Sequence, residues 1–214
     1  MREVLYLHGF ASSPGSRKAR FLAERFAEIG ARLTAPDLAE EGFGSLTISG
    51  QLRVIERAVS EWPPTLIVGS SLGGYLAALY AARHPGPTPA LALLAPAFGF
   101  PARWAERLGE ERMLEWRRNG RMEVFHYGEG RPAAIDFGFY QDALRFDPTP
   151  RVEQPTLILH GKTDEVVPPE YSAEFARNRP NVAVEWLETD HGMLDALDRI
   201  WERISEFFQE RAAA

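Results

Sequence analysis

Ser71 lies in the segment Gly69-Ser70-Ser71-Leu72-Gly73. A serine hydroxyl is a weak nucleophile near neutral pH. It needs a base within hydrogen-bond reach, and that base needs a third group to fix its tautomer. The apolar run Thr65-Leu66-Ile67-Val68 precedes the motif, and the Ala/Leu-rich stretch from Ser71 to Arg83 follows it. Gly-x-Ser-x-Gly between a strand and a helix predicts a turn so sharp that the serine is held in a strained conformation, with flanking glycines relieving the crowding. The hydroxyl would then project above the carboxyl ends of the strands, at the positive end of the following helix. Ser70 competes, but it lacks glycine two places before and after it.

Five histidines could supply the base. His84 closes a helix before Pro85, where a structural role is expected, and His126 lies in the interval 96–155, which reads as an insertion. His8 and His160 both stand in strand-His-Gly turns, which ordinarily hold satisfied structural histidines. His191, in Thr189-Asp190-His191-Gly192, falls between the last strand and the last helix. A loop there hangs over the same sheet edge as Ser71. The acid is expected at Asp164, in the loop after the strand Thr156–Leu159, with Glu165 as the neighbouring alternative. Asp190 is a poor orienter, because adjacent side chains tend to point apart. Ser71, Asp164 and His191 follow in the order serine, acid, histidine that accompanies a serine on a strand-to-helix turn.

Acyl transfer also needs donors aimed at a tetrahedral oxyanion. The backbone N–H of Leu72, just after the nucleophile, is one candidate. The other is the N–H of Phe10 in the turn His8-Gly9-Phe10, where Gly9 lets the backbone come close. Ser12-Ser13-Pro14-Gly15-Ser16-Arg17-Lys18 has the composition of an anion site at a helix start. It reads better as a serine N-cap followed by solvated basic residues.

These side chains need a sheet to carry them. Val4–Leu7, Ala31–Ala35, Thr65–Val68, Ala90–Leu94, Thr156–Leu159 and Val182–Leu187 read as six strands. Helical spacing covers Ser16–Ile29, Ser49–Glu61, Ser71–Arg83, Glu170–Asn178 and Leu194–Gln209. Strands alternating with helices predict an α/β fold, a mainly parallel sheet with helices on both faces. The interval 96–155 breaks the rhythm. A helix holding Trp104, Leu108, Met113, Leu114 and Trp116 is expected there, then a strand or hairpin arm over Met122–Tyr127. About 60 residues is small for an independent core, so 1–214 reads as one domain with a lid-like or cap-like insertion at 96–155. The aromatics Phe98, Phe100, Trp104, Trp116, Phe125, Tyr127, Phe137, Phe139 and Tyr140 either line an acyl pocket or pack the insertion against the body. The tail Ala212–Ala214 is expected to fray.

Composition narrows the classes. The chain has 214 residues, 45% of them hydrophobic and 25% charged, which is ordinary for a globular domain. A net charge of -6 gives no electrostatic reason to expect a nucleic-acid partner. There is no cysteine, which excludes disulfides, thiolate metal sites and a cysteine nucleophile. No run approaches the roughly 20 apolar residues of a membrane span. The first apolar run is too short for a signal peptide, so the simplest address is the cytoplasm.

The strand–His8-Gly9-Phe10 turn, Gly69-Ser70-Ser71-Leu72-Gly73-Gly74, Gly161-Lys162-Thr163-Asp164-Glu165-Val166-Val167-Pro168 and Asp190-His191-Gly192 together resemble the α/β-hydrolase superfamily. The opening Leu5-Tyr6-Leu7-His8-Gly9-Phe10-Ala11-Ser12-Ser13-Pro14-Gly15-Ser16 is similar to the small bacterial YqiA-type esterases. The resemblance implies an α/β-hydrolase fold and hydrolysis of small-molecule carboxylic esters or thioesters through an acyl-enzyme, without metal or organic cofactor. A carboxylesterase for small or medium acyl groups is the leading expectation, and an acyl-thioesterase is the alternative. Peptidase, lyase or cofactor-free haloperoxidase chemistry, or a non-catalytic binding module, ranks below. The insertion is longer than the smallest members would need, so their substrates are not carried over.

Overall fold

The computed structural model describes residues 2–85 and 89–212. In chain order the elements are β1 (Arg2–Leu7), α1 (Arg17–Glu28), β2 (Ala31–Thr34), α2 (Ile48–Glu61), β3 (Leu66–Ser70), α3 (Leu72–Arg83), β4 (Ala90–Leu94), α4 (Ala102–Leu108) and α5 (Glu110–Asn119). There follow β5 (Arg121–His126), β6 (Arg131–Asp136), α6 (Gly138–Ala143), β7 (Thr156–Gly161), α7 (Glu170–Ala176), β8 (Val182–Leu187) and α8 (Leu197–Ala212). Six strands form one parallel sheet in the order β2-β1-β3-β4-β7-β8, as the alternation predicts.

The central strands β3, β4 and β7 are buried at every residue, which explains their unbroken apolar runs. Their side chains alternate between two apolar layers. Leu5, Leu7, Ile67, Leu91 and Ile158 face α2 and α3. Val4, Tyr6, Val68, Leu94 and Leu159 face α1 and α8. In the second layer the buried ring of Phe26 meets Trp201 and Phe208 edge-on, at 5.0 and 5.3 Å. This period of two is how one sheet buries both faces.

Two helix starts, α1 and α2, are capped by side chains. The Ser16 hydroxyl accepts the Ala19 N–H at 3.3 Å, and the Thr47 hydroxyl accepts that of Gly50 at 2.9 Å. The cap at Thr47 moves the start of α2 one residue ahead of Ser49. At the other end of the chain, α8 starts at Leu197, not Leu194. Of the terminal alanines expected to fray, Ala212 ends α8, and 213 and 214 lie outside the described residues.

Between β4 and β7 the chain differs from expectation in one respect. Gly109, at φ +79°, divides the single helix expected around Trp104–Trp116 into α4 and α5. The arm at Met122–Tyr127 belongs to an antiparallel hairpin, β5 with β6. This segment shares the apolar layer of the sheet's α2/α3 side, through Trp116, Ile135 and Phe139. The Trp116 indole N–H donates to the Ile135 carbonyl at 3.0 Å. Asp142 accepts both the N–H and the hydroxyl of Ser49, each at 2.7 Å, and so pins α6 to the start of α2. The N–H of Gly128 donates to the Ala11 carbonyl at 3.1 Å, bringing the hairpin turn over the loop after β1.

Candidate active site

The carboxyl ends of β1, β3, β7 and β8 deliver four loops to one edge of the sheet. Ser71 stands at the turn from β3 to α3 with φ +54° and ψ -117°, a conformation strained for any residue with a Cβ. Backbone bonds hold it there. Its N–H donates to Leu94, and its carbonyl accepts from Gly74 and Ala97, at 2.8, 2.9 and 3.0 Å. The two motif glycines are required by close approach. A Cβ on Gly73 would lie 2.1 Å from the Leu7 carbonyl oxygen, and one on Gly69 would lie 2.5 Å from that of Gly73. Although Ser71 occupies the N-cap position of α3, its side chain makes no capping bond.

The hydroxyl turns instead to His191. Ser71 Oγ is 3.1 Å from His191 Nε2, and His191 Nδ1 is 2.7 Å from Asp164 Oδ2. The side chains that the sequence picks out 93 and 120 residues apart thus form one hydrogen-bonded line. With Nδ1–H donating to the carboxylate, Nε2 is left as an acceptor for the serine proton. Asp164 is fully occupied. Its Oδ1 accepts the N–H groups of Val166 and Val167 at 2.9 and 2.8 Å. Burial pushes its carboxyl up, but hydrogen bonds from His160, His191 and the Val167 N–H outweigh that and hold it well below the usual carboxylate range. Glu165 is exposed and makes no bond to His191 among the described residues. Asp190 is spent on its own turn, accepting the N–H groups of Gly192 and Met193.

His160 is the residue that the sequence undervalues. Its ring is fully buried, with Nε2 2.9 Å from the Val167 carbonyl and 3.2 Å from Asp164 Oδ2, and Nδ1 2.7 Å from Ser172 Oγ. It is satisfied, as a strand-His-Gly turn predicts, and one of its partners is the candidate acid. Spacing four residues before Asp164 was the available signal. His8 accepts the Leu38 N–H at Nε2 and donates from Nδ1 to the Gly9 carbonyl, fixing the turn that carries Phe10.

Phe10 and Leu72 both border the cleft beside Ser71. Neither backbone N–H donates to a protein acceptor among the described residues. A Cβ built on Gly9 would lie 3.4 Å from that of Ser71, so the Phe10 turn lies directly against the serine.

Lys18 corrects the sequence reading. It is not a solvated residue: its ammonium donates to the Gly192 carbonyl at 3.0 Å, and burial lowers its pKa to about 8. Arg17, its neighbour, is exposed.

The cleft measures about 1160 Å³. The aromatics of residues 96–155 divide between the two roles open to them. Phe100, Trp104, Phe125 and Tyr127 border the cleft. Phe98 stacks on Phe175 at 3.8 Å, and Trp116 and Phe139 are buried in the core. Phe43, in a short helical turn, packs against Phe10 at 5.3 Å. Among the described residues no three His, Asp or Glu side chains converge as a metal-binding set. Nor is any helix among them long and apolar enough to cross a membrane.

The chain is similar to known proteins. Lysophospholipase L2 of Escherichia coli K12 is 34% identical over 137 residues, covering 50% of this chain and 39% of the relative. The chain therefore spans under half the length of the curated relative it matches. Est1E from Butyrivibrio proteoclasticus, solved with ferulic acid bound, superposes with a TM-score of 0.85 at 24% identity, over 100% of this chain and 90% of that one. Alpha/beta hydrolase domain-containing protein 10 from mouse gives 0.82 at 22% identity, over 97% and 90%. These likenesses establish an α/β-hydrolase fold. Residues 3–209 match the profile of UPF0227, described as an uncharacterised protein family, and the chain belongs to that family.

Proposed function

We propose that the protein is a serine hydrolase that cleaves carboxylic esters of small or medium acyl groups through an acyl-enzyme. The observation that carries this reading is the line Ser71 Oγ–His191 Nε2, His191 Nδ1–Asp164 Oδ2, at 3.1 and 2.7 Å. The names of a lysophospholipase relative and an esterase neighbour agree with it.

In the proposed reaction His191 Nε2 takes the Ser71 proton as Oγ bonds to the ester carbonyl carbon. The N–H groups of Phe10 and Leu72 receive the oxyanion. Collapse breaks the bond to the leaving oxygen, which takes the proton back from His191. Water then attacks the acyl-enzyme with His191 again as base, releasing the acid and restoring Ser71. Asp164 stays ionised throughout, orienting the ring and stabilising its charged form. Residues 96–155 act as a cap over the cleft, with Phe100 and Trp104 as walls for the acyl group.

A fluorophosphonate probe tests the reading. Labelling of folded protein at Ser71, abolished in Ser71→Ala, is the expected result. Absence of labelling would overturn it. The alternative is an acyl-thioesterase, which shares every group named here and differs in the leaving atom. Matched ester and thioester series separate the two.

A further inference from the structure

Acids outnumber bases 30 to 24 in the chain, yet the cleft reverses that balance. Arg17, Lys18, Arg103, Arg107 and Arg112 border it, against Glu123 and Asp190. Outside the cleft several cations are paired: Arg25, Arg57, Arg199 and Arg203 each meet a carboxylate. None of the five cleft cations does so among the described residues. Asp190 is taken up by its own turn.

Two of the five are held in place rather than left to solvent. Arg103 is partly buried and donates to the carbonyls of Val166 and Phe98. Lys18 donates to the carbonyl of Gly192, next to His191. Carbonyls fix the direction of these groups, and no carboxylate pairs with them directly; Asp164, Asp190 and Glu106 act on them only at longer range. A partly buried cation without a counter-charge costs free energy, and a ligand anion would supply the missing charge. Arg17, Arg107 and Arg112 are exposed at the rim, where charges of one sign steer ligands of the other. With a pKa about 8, Lys18 remains mostly charged at neutral pH. The cleft is also lined by apolar side chains, among them Phe10, Phe100, Trp104, Met122 and Val124.

We propose that this cleft selects esters that join an apolar part to an anionic group, a carboxylate or a phosphate. The proposal rests on the ester-hydrolase reading for its chemistry and on the unpaired cations for its charge.

Butyrate esters of four phenols test it: phenol itself, 4-hydroxybenzoate, 4-hydroxyphenyl phosphate and 4-(trimethylammonio)phenol. Each kcat/KM is divided by the rate of hydrolysis by hydroxide, to remove leaving-group chemistry. The anionic esters should exceed the neutral one by about ten-fold or more, which is about 1.4 kcal/mol, and the cationic ester should be the poorest. The advantage should shrink as salt is raised. Lys18→Met, Arg103→Met and the rim variant Arg107→Gln should each lower the anionic-to-neutral ratio, chiefly through KM. The stronger of the carboxylate and phosphate arms identifies the anion. Calorimetry of the same esters on Ser71→Ala measures the charge preference without turnover. Equal kcat/KM and equal binding for neutral and anionic esters would overturn the proposal and leave the hydrolase reading standing. Tight binding of anions with no ester cleaved by the wild-type protein would overturn the hydrolase reading and leave the charge preference standing.

Discussion

His160 Nε2 lies 3.2 Å from Asp164 Oδ2, the same oxygen that meets His191 Nδ1 at 2.7 Å. One carboxylate oxygen is therefore gripped by two imidazoles, one fully buried and one open to the cleft. The buried ring is itself fixed by Ser172 and the Val167 carbonyl. In the proposed reaction His160 would act on Ser71 only through Asp164, as a positioning residue.

Replacing His160 by Ala should lower kcat on the order of ten- to a hundred-fold with KM nearly unchanged, as for other groups that orient an active side chain. Steady-state kinetics on a soluble ester reads this directly. A parallel fall in folded fraction, with normal kcat per folded molecule, would assign His160 to the core alone.

Asp164→Asn should lower kcat by about 10³–10⁴, because the wrong imidazole tautomer is then favoured. Glu165→Gln should stay within about two-fold of wild type, being an exposed surface change of the kind that leaves little trace. The reverse ranking would move the acid to Glu165.

Ser71→Ala should lose several orders of magnitude in kcat, and so should Ser71→Gly. Their stabilities should differ. Glycine accepts the conformation at φ +54° without a Cβ clash, so Ser71→Gly should exceed Ser71→Ala by about 1 kcal/mol in urea melts.

Acid stability should depend on Asp164. Its folded pKa lies below its unfolded value of about 3.9, so its contribution is complete above that pH. It is lost as pH falls from there toward the depressed folded value. Urea melts between neutral pH and about pH 3 should therefore show wild type losing stability more steeply than Asp164→Asn. Parallel curves would mean that the carboxylate gains nothing from its partners.

Phe26→Ala should destabilise by about 3–5 kcal/mol, the range for deleting a buried phenylalanine. The ring is wedged between Trp201 and Phe208, where α1 and α8 meet far from the cleft. Activity per folded molecule should not change.

The body of the fold was legible because its signals are local. Continuous apolar runs fell on β3, β4 and β7, and the Gly69/Gly73 pair marked a turn in which side chains do not fit. Ser71, Asp164 and His191 could be chosen because each follows a strand, and parallel strands bring such loops to one edge. Residues 96–155 were harder to read. The arm at Met122–Tyr127 was legible, because β5 alternates half-buried with exposed residues, but its partner β6 was not. Gly109 breaks a helix whose two halves carry similar composition. Lys18 looked like a surface cation because its partner, the Gly192 carbonyl, is 174 residues away. No local pattern encodes a contact of that range.

Ser71 stands where a serine would ordinarily cap α3, and its side chain does not do so. Capping of that kind contributes about 1 kcal/mol to a helix. The backbone strain and the missing cap have one cause, since the positive φ that lifts Oγ toward His191 also carries it away from the helix. At the first turn of α3 the N–H groups of Leu72 and Gly73 meet no acceptor among the described residues, beside the proposed nucleophile. An incomplete helix start thus becomes a standing reservoir of positive potential, present before any substrate arrives.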